Sequence, residues 1–319
     1  MPPAPTFCPL CDAPAPVASD RIHTEAGTSY TLYICNNCSV WFWWPLKNPG
    51  ATWYSAHERY GARNHDPMWK PTGYHRKAIT LLSPKKGTIL DVGCGIGNFL
   101  DLANQEGWVC AGIDFDPDAI DAARKRIGTG DLSVSDVVIY AQQHPENKFD
   151  VVTFFDVFEH VDNHNEFIGA VSSLVKDNGS IAMSMPYRKH APWLMRGDVP
   201  PCHLTCWDRG SLKGFLTKHG FTVTHMSRRT EGIWPIIMKL RFKYGRRISF
   251  GAVNAIKRTV GDAISSPRKQ STIVKMVKVL AKVKDIVVFG LPAVCIWLAM
   301  IPLESRYVTL FAIAEKRTR

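Results

Sequence analysis

The sequence has no long apolar run. Its nearest approach, residues 286–303, is 18 residues without a formal charge, and Pro292 falls inside it. As an unbroken helix it would reach about 27 Å, barely the thickness of a bilayer's hydrocarbon. A segment that dips into a membrane or lies on it is therefore favoured, with a soluble helical cap or dimer interface next and a true span last. Met1-Pro2-Pro3-Ala4-Pro5 has neither a charged n-region nor an apolar h-region, so no secretory signal is expected there. Nine cysteines in 319 residues make no disulfide framework. Four have metal-ligand spacing, and Cys94, Cys110 and Cys295 lie in apolar contexts that suit reduced core thiols. Acids are scarce in one place. Residues 228–285 carry 15 Lys/Arg against 3 Asp/Glu, whereas residues 1–227 carry 20 against 23. The excess behind a net charge of +11 sits almost wholly in one late segment.

What is present is most informative at residues 89–100. A short apolar run ends in Asp91 and enters Gly93, Gly95 and Gly97. This reads as a buried strand, a tight turn and the first turn of a helix. Glycines there permit positive φ and let a ligand approach the backbone with no Cβ in the way. The helix N-terminus beyond offers backbone N–H groups. A dinucleotide fingerprint needs G-x-G-x-x-G, and its third glycine position holds Asn98 here, which argues against a pyrophosphate ligand. After a helical stretch (98–106), residues 108–114 read as a second strand ending in Asp114. A carboxylate there can accept both hydroxyls of a ribose. Asp116-Pro117 opens the next helix. A strand over 149–155 leads to Asp156-Val157-Phe158-Glu159-His160-Val161. A helix over 166–176, a turn at Asp177-Asn178-Gly179, a strand over 180–185 and an alternating segment over 306–314 follow. Alternating strand and helix signals argue for a doubly wound α/β sheet.

The D-x-G-x-G-x-G run resembles motif I of the class I S-adenosylmethionine (SAM) dependent methyltransferases. The D-x-x-E-H-V run resembles their branch of ubiquinone-type and sugar-modifying enzymes, as do His203-Leu204 and residues 207–221. The resemblance covers roughly residues 75–227 and a last strand. It implies a Rossmann-like sheet of seven strands, the last entering antiparallel, with SAM as cofactor. It assigns cofactor binding to Asp91, Gly93, Gly95, Gly97 and Asp114, with Asp136 at the adenine amino group and Asp156 after the fourth strand.

Cys8-x-x-Cys11 and Cys35-x-x-Cys38 form two knuckles, each able to place two thiolates on one tetrahedral ion. A module of roughly 45 residues buries little core, so structural Zn²⁺ would supply its folding energy. Residues 29–34 read as a strand between the knuckles. Trp41-Phe42-Trp43-Trp44 follows, and packing is favoured over an exposed binding wall. The resulting division is a zinc ribbon (1–45), an aromatic connector suited to a lid (46–74), a SAM-binding core (75–227), a basic and apolar helical insertion (228–305) and a last strand with tail (306–319). Within the insertion, Ile273, Met276, Val277, Leu280 and Val283 oppose Lys275, Lys278 and Lys282 at helical period. A basic amphipathic helix of this kind points to an anionic bilayer surface.

SAM's methyl leaves a sulfonium by in-line displacement, so the enzyme mainly aligns the nucleophile. An oxygen nucleophile profits from a base near neutrality. His160 is the first candidate, with Glu159 as its orienter, and His203 is the second. Alternatively, Asp156, Glu159 and His160 could hold a divalent ion. Cys202, His203 and Cys206 read as pocket lining. The place after the fourth strand lacks the Asn/Asp-Pro-Pro-aromatic run of many base N-methylating enzymes. The ribbon is poor in Lys and Arg, which favours lipid over nucleic acid. The leading reading is O-methylation of a glycan, glycolipid or prenyl-lipid precursor by an enzyme peripheral to the cytoplasmic membrane face. The alternatives are an RNA methyltransferase and a catalytically degenerate membrane scaffold.

Overall fold

A computed structural model describes residues 3–25, 27–56, 70–83, 86–128, 130–187, 199–230, 232–244, 283, 285–303 and 307–318. The chain divides into two compact units, one of Met1–Arg229 with Thr309–Arg319 and one of Thr230–Val308.

The first unit holds two sheets. The larger has seven strands, β4 (Thr88–Val92), β5 (Val109–Asp114), β6 (Asp131–Val134), β7 (Phe149–Phe155), β8 (Val175–Pro186), β10 (Phe221–Thr230) and β11 (Tyr307–Lys316). Their order is β10-β11-β8-β7-β4-β5-β6. β4 pairs parallel with β5 and β7, β5 with β6, and β7 with β8, whereas β11 enters antiparallel to β8 from Thr309↔Pro186 to Glu315↔Ser180. This is the Rossmann-like sheet with an antiparallel last strand that the sequence implies.

Alternation along β7 divides the core. Val151 and Phe155 face a cluster with Ile79, Leu82, Phe99, Leu100, Ile120 and Ile127, drawn from helices α2 (Gly73–Leu82), α3 (Asn98–Gln105) and α4 (Pro117–Ile127). On the opposite face Phe154 meets an aromatic group of Phe158, Phe167, Trp207 and Phe215. Phe167 lies on α6 (His164–Leu174) and Phe215 on α7 (Arg209–Lys218). The intervening α5 (Val137–Gln143) follows β6.

Local chemistry fixes the helix ends. Asp116 caps α4 through Asp118 N with Pro117 behind it, and Gly128 at φ +69° ends the helix. Asp208 and Ser211 form a reciprocal capping box on α7. One boundary differs from the sequence reading. β8 begins at Val175, so Lys176 is strand rather than helix, and Asp177-Asn178-Gly179 lies inside the strand. Asn178 has φ +58°, and the register with β7 shifts between Phe149 and Val151. The turn residues make a bulge there and leave the strand continuous.

The smaller sheet runs β1-β2-β3-β9, from β1 (Val17–Glu25), β2 (Thr28–Ile34), β3 (Trp41–Trp44) and β9 (Thr205–Cys206). The four consecutive aromatics of β3 are covered on both faces. Phe42 stacks on Tyr33 at 5.8 Å, and Trp43 joins Tyr30 and Leu32. Its last strand comes from far along the chain, with Trp41↔Cys206 and Phe42↔Thr205 in register. α1 (Ala51–Ala56) follows this sheet. His57 and His65 of the connector lie outside the described residues.

The second unit contains α8 (Ile233–Tyr244) and a helix over residues 285–299, α9, joined by an Arg241–Asp285 ion pair of 3.0 Å. The basic amphipathic stretch at 272–282 lies outside the described residues. Cys295, expected as a core thiol, is exposed. Among the described residues no helix is long and apolar enough to cross a membrane.

Candidate active site at the carboxyl edge of the sheet

The glycine turn follows β4 and is stitched to β5, with Gly93 N and Cys94 N both donating to Ile113 O at 2.8 and 3.1 Å. Gly93, Gly95 and Gly97 all have positive φ, at +71°, +52° and +76°. Two of them are glycine because of what packs on them. A Cβ at Gly93 would come within 2.6 Å of Val157 Cγ2, and one at Gly97 within 2.8 Å of Ile127 Cδ1. Gly95 differs, because a Cβ there would meet nothing within 4 Å. Its backbone borders open space, as a ligand cradle requires.

Asp114 lies beside that space at the end of β5. Its Oδ2 accepts from Gly95 N and its Oδ1 from Asp116 N, both at 2.9 Å. A carboxylate has about four acceptor positions, so capacity for a diol remains. Burial raises Asp114 to about 6. Asp91 is buried further in, accepts from Thr153 Oγ1 at 2.6 Å, and is raised by burial to about 7. It ties β4 to β7 beneath the turn. Asp136 caps α5, with Oδ1 accepting from Val138 N and Ile139 N at 2.8 and 2.9 Å. Asp156, at φ +55° past β7, accepts from Ser184 Oγ at 2.9 Å through Oδ1 and from the Tyr74 hydroxyl through Oδ2. Tyr74 was not singled out by the sequence, although the aromatic density before the first core strand was the available signal. Burial, then the charge of Asp156, pushes its phenol far above the usual range.

A 3₁₀ turn, Phe158–His160, carries the second group. Glu159 is 2 % exposed, and among the described residues neither carboxyl oxygen has a hydrogen-bond partner. Burial raises it to about 8, so it is mostly a neutral acid at pH 7. His160 Nε2 lies 3.8 Å from Glu159 Oε1. The other ring nitrogen, Nδ1, is 2.6 Å from the carbonyl oxygen of Cys202 and 3.2 Å from the Tyr54 hydroxyl. A carbonyl only accepts, so Nδ1 is the donor and the lone pair of the neutral ring is on Nε2. His203 stands edge-on to His160 at 4.7 Å, and His160, Cys202 and His203 bring their side-chain nitrogens and sulfur within 4.8 Å of one another. The trio of Asp156, Glu159 and His160 does not gather as a cation site, since Asp156 is turned toward Tyr74 and Ser184. A further histidine, His164, is structural. It is 1 % exposed, donates from Nε2 to Phe158 O at 3.0 Å, and is held down to about 3 by burial.

Distant segments hold this group in place. Asn48 Nδ2 donates to His160 O at 2.7 Å, and Leu204 N donates to Glu159 O at 2.8 Å. Trp43 N donates to Leu204 O at 2.8 Å, which links β3 to the chain just after His203. Lys218 Nζ and Asn165 Nδ2 reach Leu10 O and Pro9 O in the first knuckle.

The knuckles converge. Sγ of Cys8 is 3.8 Å from that of Cys38, and Sγ of Cys11 is 3.6 Å from that of Cys35, with all four within 4.8 Å. Tetrahedral Zn–S bonds of about 2.3 Å put sulfurs about 3.8 Å apart, so the set fits one zinc ion. Cys38 N and Asn37 Nδ2 donate to Cys35 Sγ and Cys11 Sγ, each at 3.5 Å. Donation to sulfur suits thiolates.

Residues 70–226 match the family described as a methyltransferase domain. Over 111 residues the chain is 35 % identical to a ubiquinone biosynthesis O-methyltransferase of Yersinia enterocolitica and 34 % identical to that of Yersinia pestis. The aligned stretch is 34 % of this chain and 46 % of either relative, so the chain spans about half the length of these curated relatives. Among solved structures, a SAM dependent methyltransferase from Archaeoglobus fulgidus is 18 % identical, with TM-score 0.47 over 76 % of this chain and 94 % of that one. Phosphoethanolamine N-methyltransferase 2 of Haemonchus contortus, in complex with S-adenosyl-L-methionine, is 14 % identical, with TM-score 0.49 over 94 % of this chain and 71 % of that one. With this family match laid over the seven-stranded sheet and its glycine turn, residues 70–226 form a SAM-dependent methyltransferase domain of class I.

Proposed function

We propose that the protein transfers a methyl group from SAM to an oxygen of a glycan, glycolipid or prenyl-lipid precursor at the cytoplasmic membrane face. One observation carries the catalytic part. Tyr54 touches Phe115, the neighbour of Asp114, with ring centroids 5.3 Å apart, and its hydroxyl meets His160. The donor turn and the histidine pair therefore lie within one side chain of each other at the carboxyl edge, where open α/β sheets bind ligands.

When bound, SAM supplies an electrophilic methyl on a sulfonium that departs as a neutral thioether. Gly93, Gly95 and Gly97 would cradle its amino-acid end, Asp114 would accept the ribose hydroxyls, and Asp136 would present its second oxygen to the adenine amino group. Asp91 and Asp156 fix the turn and Tyr74 around it. His160 takes the acceptor's hydroxyl proton on Nε2 as the new O–C bond forms. Glu159 and His203 set the orientation and charge of that imidazole. The four cysteines hold structural Zn²⁺, whose closed sulfur shell leaves no position for chemistry.

The acceptor class rests on the second unit. Val287, Leu291 and Leu298 fall on one face of α9 and are 76 %, 75 % and 52 % exposed. This apolar stripe follows a segment with net charge +12. Each Lys or Arg near an anionic surface contributes about 1 kcal/mol. Membrane extract and total RNA, incubated separately with methyl-labelled SAM, distinguish the substrates. Label in the lipid-extractable fraction supports the proposal, and label in RNA alone overturns it. Flotation with anionic liposomes should be lost on removal of residues 271–303, and undiminished flotation contradicts the docking.

A further inference from the structure

We infer that Tyr54 is a positioning residue that couples the donor pocket to the base, an inference that rests on His160 acting as proposed. Tyr54 is 6 % exposed on a helix with no place in the seven-stranded sheet. Its ring packs on Phe115 at 5.3 Å and on His160 at 5.9 Å, edge to face. Its hydroxyl oxygen lies 3.2 Å from His160 Nδ1 and shares that N–H with the carbonyl of Cys202. The two acceptors keep the proton on Nδ1 and the lone pair on Nε2. Phe115 immediately follows the carboxylate that borders the open space at Gly95. A donor filling that space presses on Phe115, and Tyr54 carries the contact to the imidazole. The base is thus set in place when the methyl donor is present.

Among the described residues, Glu159 from its own turn, Cys202 and His203 from the chain before β9, and Tyr54 from α1 face His160. Asp162 stands behind them, bonded to Asn48 N at 3.2 Å. Among the described residues, the Tyr54 contact reaches toward the donor side through an aromatic ring. Loss of its oxygen removes one of the two acceptors of the Nδ1 hydrogen and leaves the carbonyl of Cys202 as the other.

The test uses full-length protein, nitrogen-resolved NMR of His160 and S-adenosylhomocysteine as the probe. Tyr54→Phe keeps the ring on Phe115. It should leave probe affinity within about twofold while moving the His160 Nδ1 signal, with the proton kept on Nδ1 by the carbonyl of Cys202. Tyr54→Ala should weaken the probe by roughly two- to tenfold, one aromatic contact, and should abolish the change that the probe induces in the His160 signals of the wild type. A wild-type Nδ1 shift in Tyr54→Phe, or an undiminished probe response in Tyr54→Ala, would overturn the coupling. Methyl transfer by His160→Ala separates the two ideas. Full activity there removes His160 as base, whatever the NMR response of the tyrosine variants.

Discussion

The donor and acceptor sides of the site are built in opposite ways. On the donor side, one continuous stretch from β4 to β5 supplies the turn, the open glycine and Asp114, and hydrogen bonds run from Gly93, Cys94 and Gly95 to Ile113 and Asp114. On the acceptor side, His160 is held by Asn48 and Tyr54 from more than 100 residues upstream and by Cys202 some 40 residues downstream. The chain after Cys202 is a strand of the ribbon's own sheet. In the proposed reaction the donor pocket would belong to the core, while the acceptor pocket would be shared between the core and the cysteine-bearing sheet. The ribbon therefore reads as a scaffold for substrate chemistry rather than as a separate binding module.

The largest effect should come from the donor side alone. Gly95→Arg places a side chain in the open space at φ +52° and should weaken SAM binding more than about 100-fold, measured by calorimetry, with zinc content unchanged. His160→Ala should lower methyl transfer by about 100-fold or more while SAM affinity stays within about twofold. That split would place the two functions on different segments, and an equal fall in both would erase the distinction. Cys35→Ser should loosen the knuckle ahead of β3 and cost roughly tenfold in turnover, with SAM affinity changed less than about threefold. A parallel loss of SAM affinity would mean that the ribbon supports the whole domain.

The smallest effect concerns Glu159. Burial holds its folded-state value at about 8, above the ordinary 4.5. The folded protein keeps a proton that the unfolded chain releases, so this contribution to stability is fully present below pH 4.5. It is lost as pH rises through about 8. Thermal unfolding of the wild type should therefore decline more steeply between pH 5 and 8 than that of Glu159→Gln. Asp91 and Asp114 titrate with the same sign in both proteins and cancel in the difference. Identical slopes would show that Glu159 is charged in the fold.

The same contrast explains what the sequence disclosed. Gly93, Gly95, Gly97 and Asp114 are legible because a strand, turn and strand of fixed length bring them together locally. The last strand was legible as a strand, but its alternation stops at the centre: Leu310 to Ala314 are all buried, because β11 lies between β10 and β8. Asn48 and Tyr54 gave no such signal, because nothing in their own neighbourhoods states that they meet His160, and Cys202, read as pocket lining, meets it through a backbone carbonyl that its side chain does not announce. β9 has two residues, too short for any periodicity, and is a strand only because β3 lies beside it. β1 is largely exposed and carries no apolar alternation to reveal it. Asn178 and Gly179 look like a turn and form a bulge, because the register between β7 and β8 was set by tertiary pairing.

The most direct measurement is calorimetric titration of the purified, zinc-replete protein with S-adenosylhomocysteine. The account predicts a single saturable site with one molecule bound per chain, lost in Gly95→Arg and retained in His160→Ala. No heat from a folded sample, or binding that survives Gly95→Arg, would contradict it.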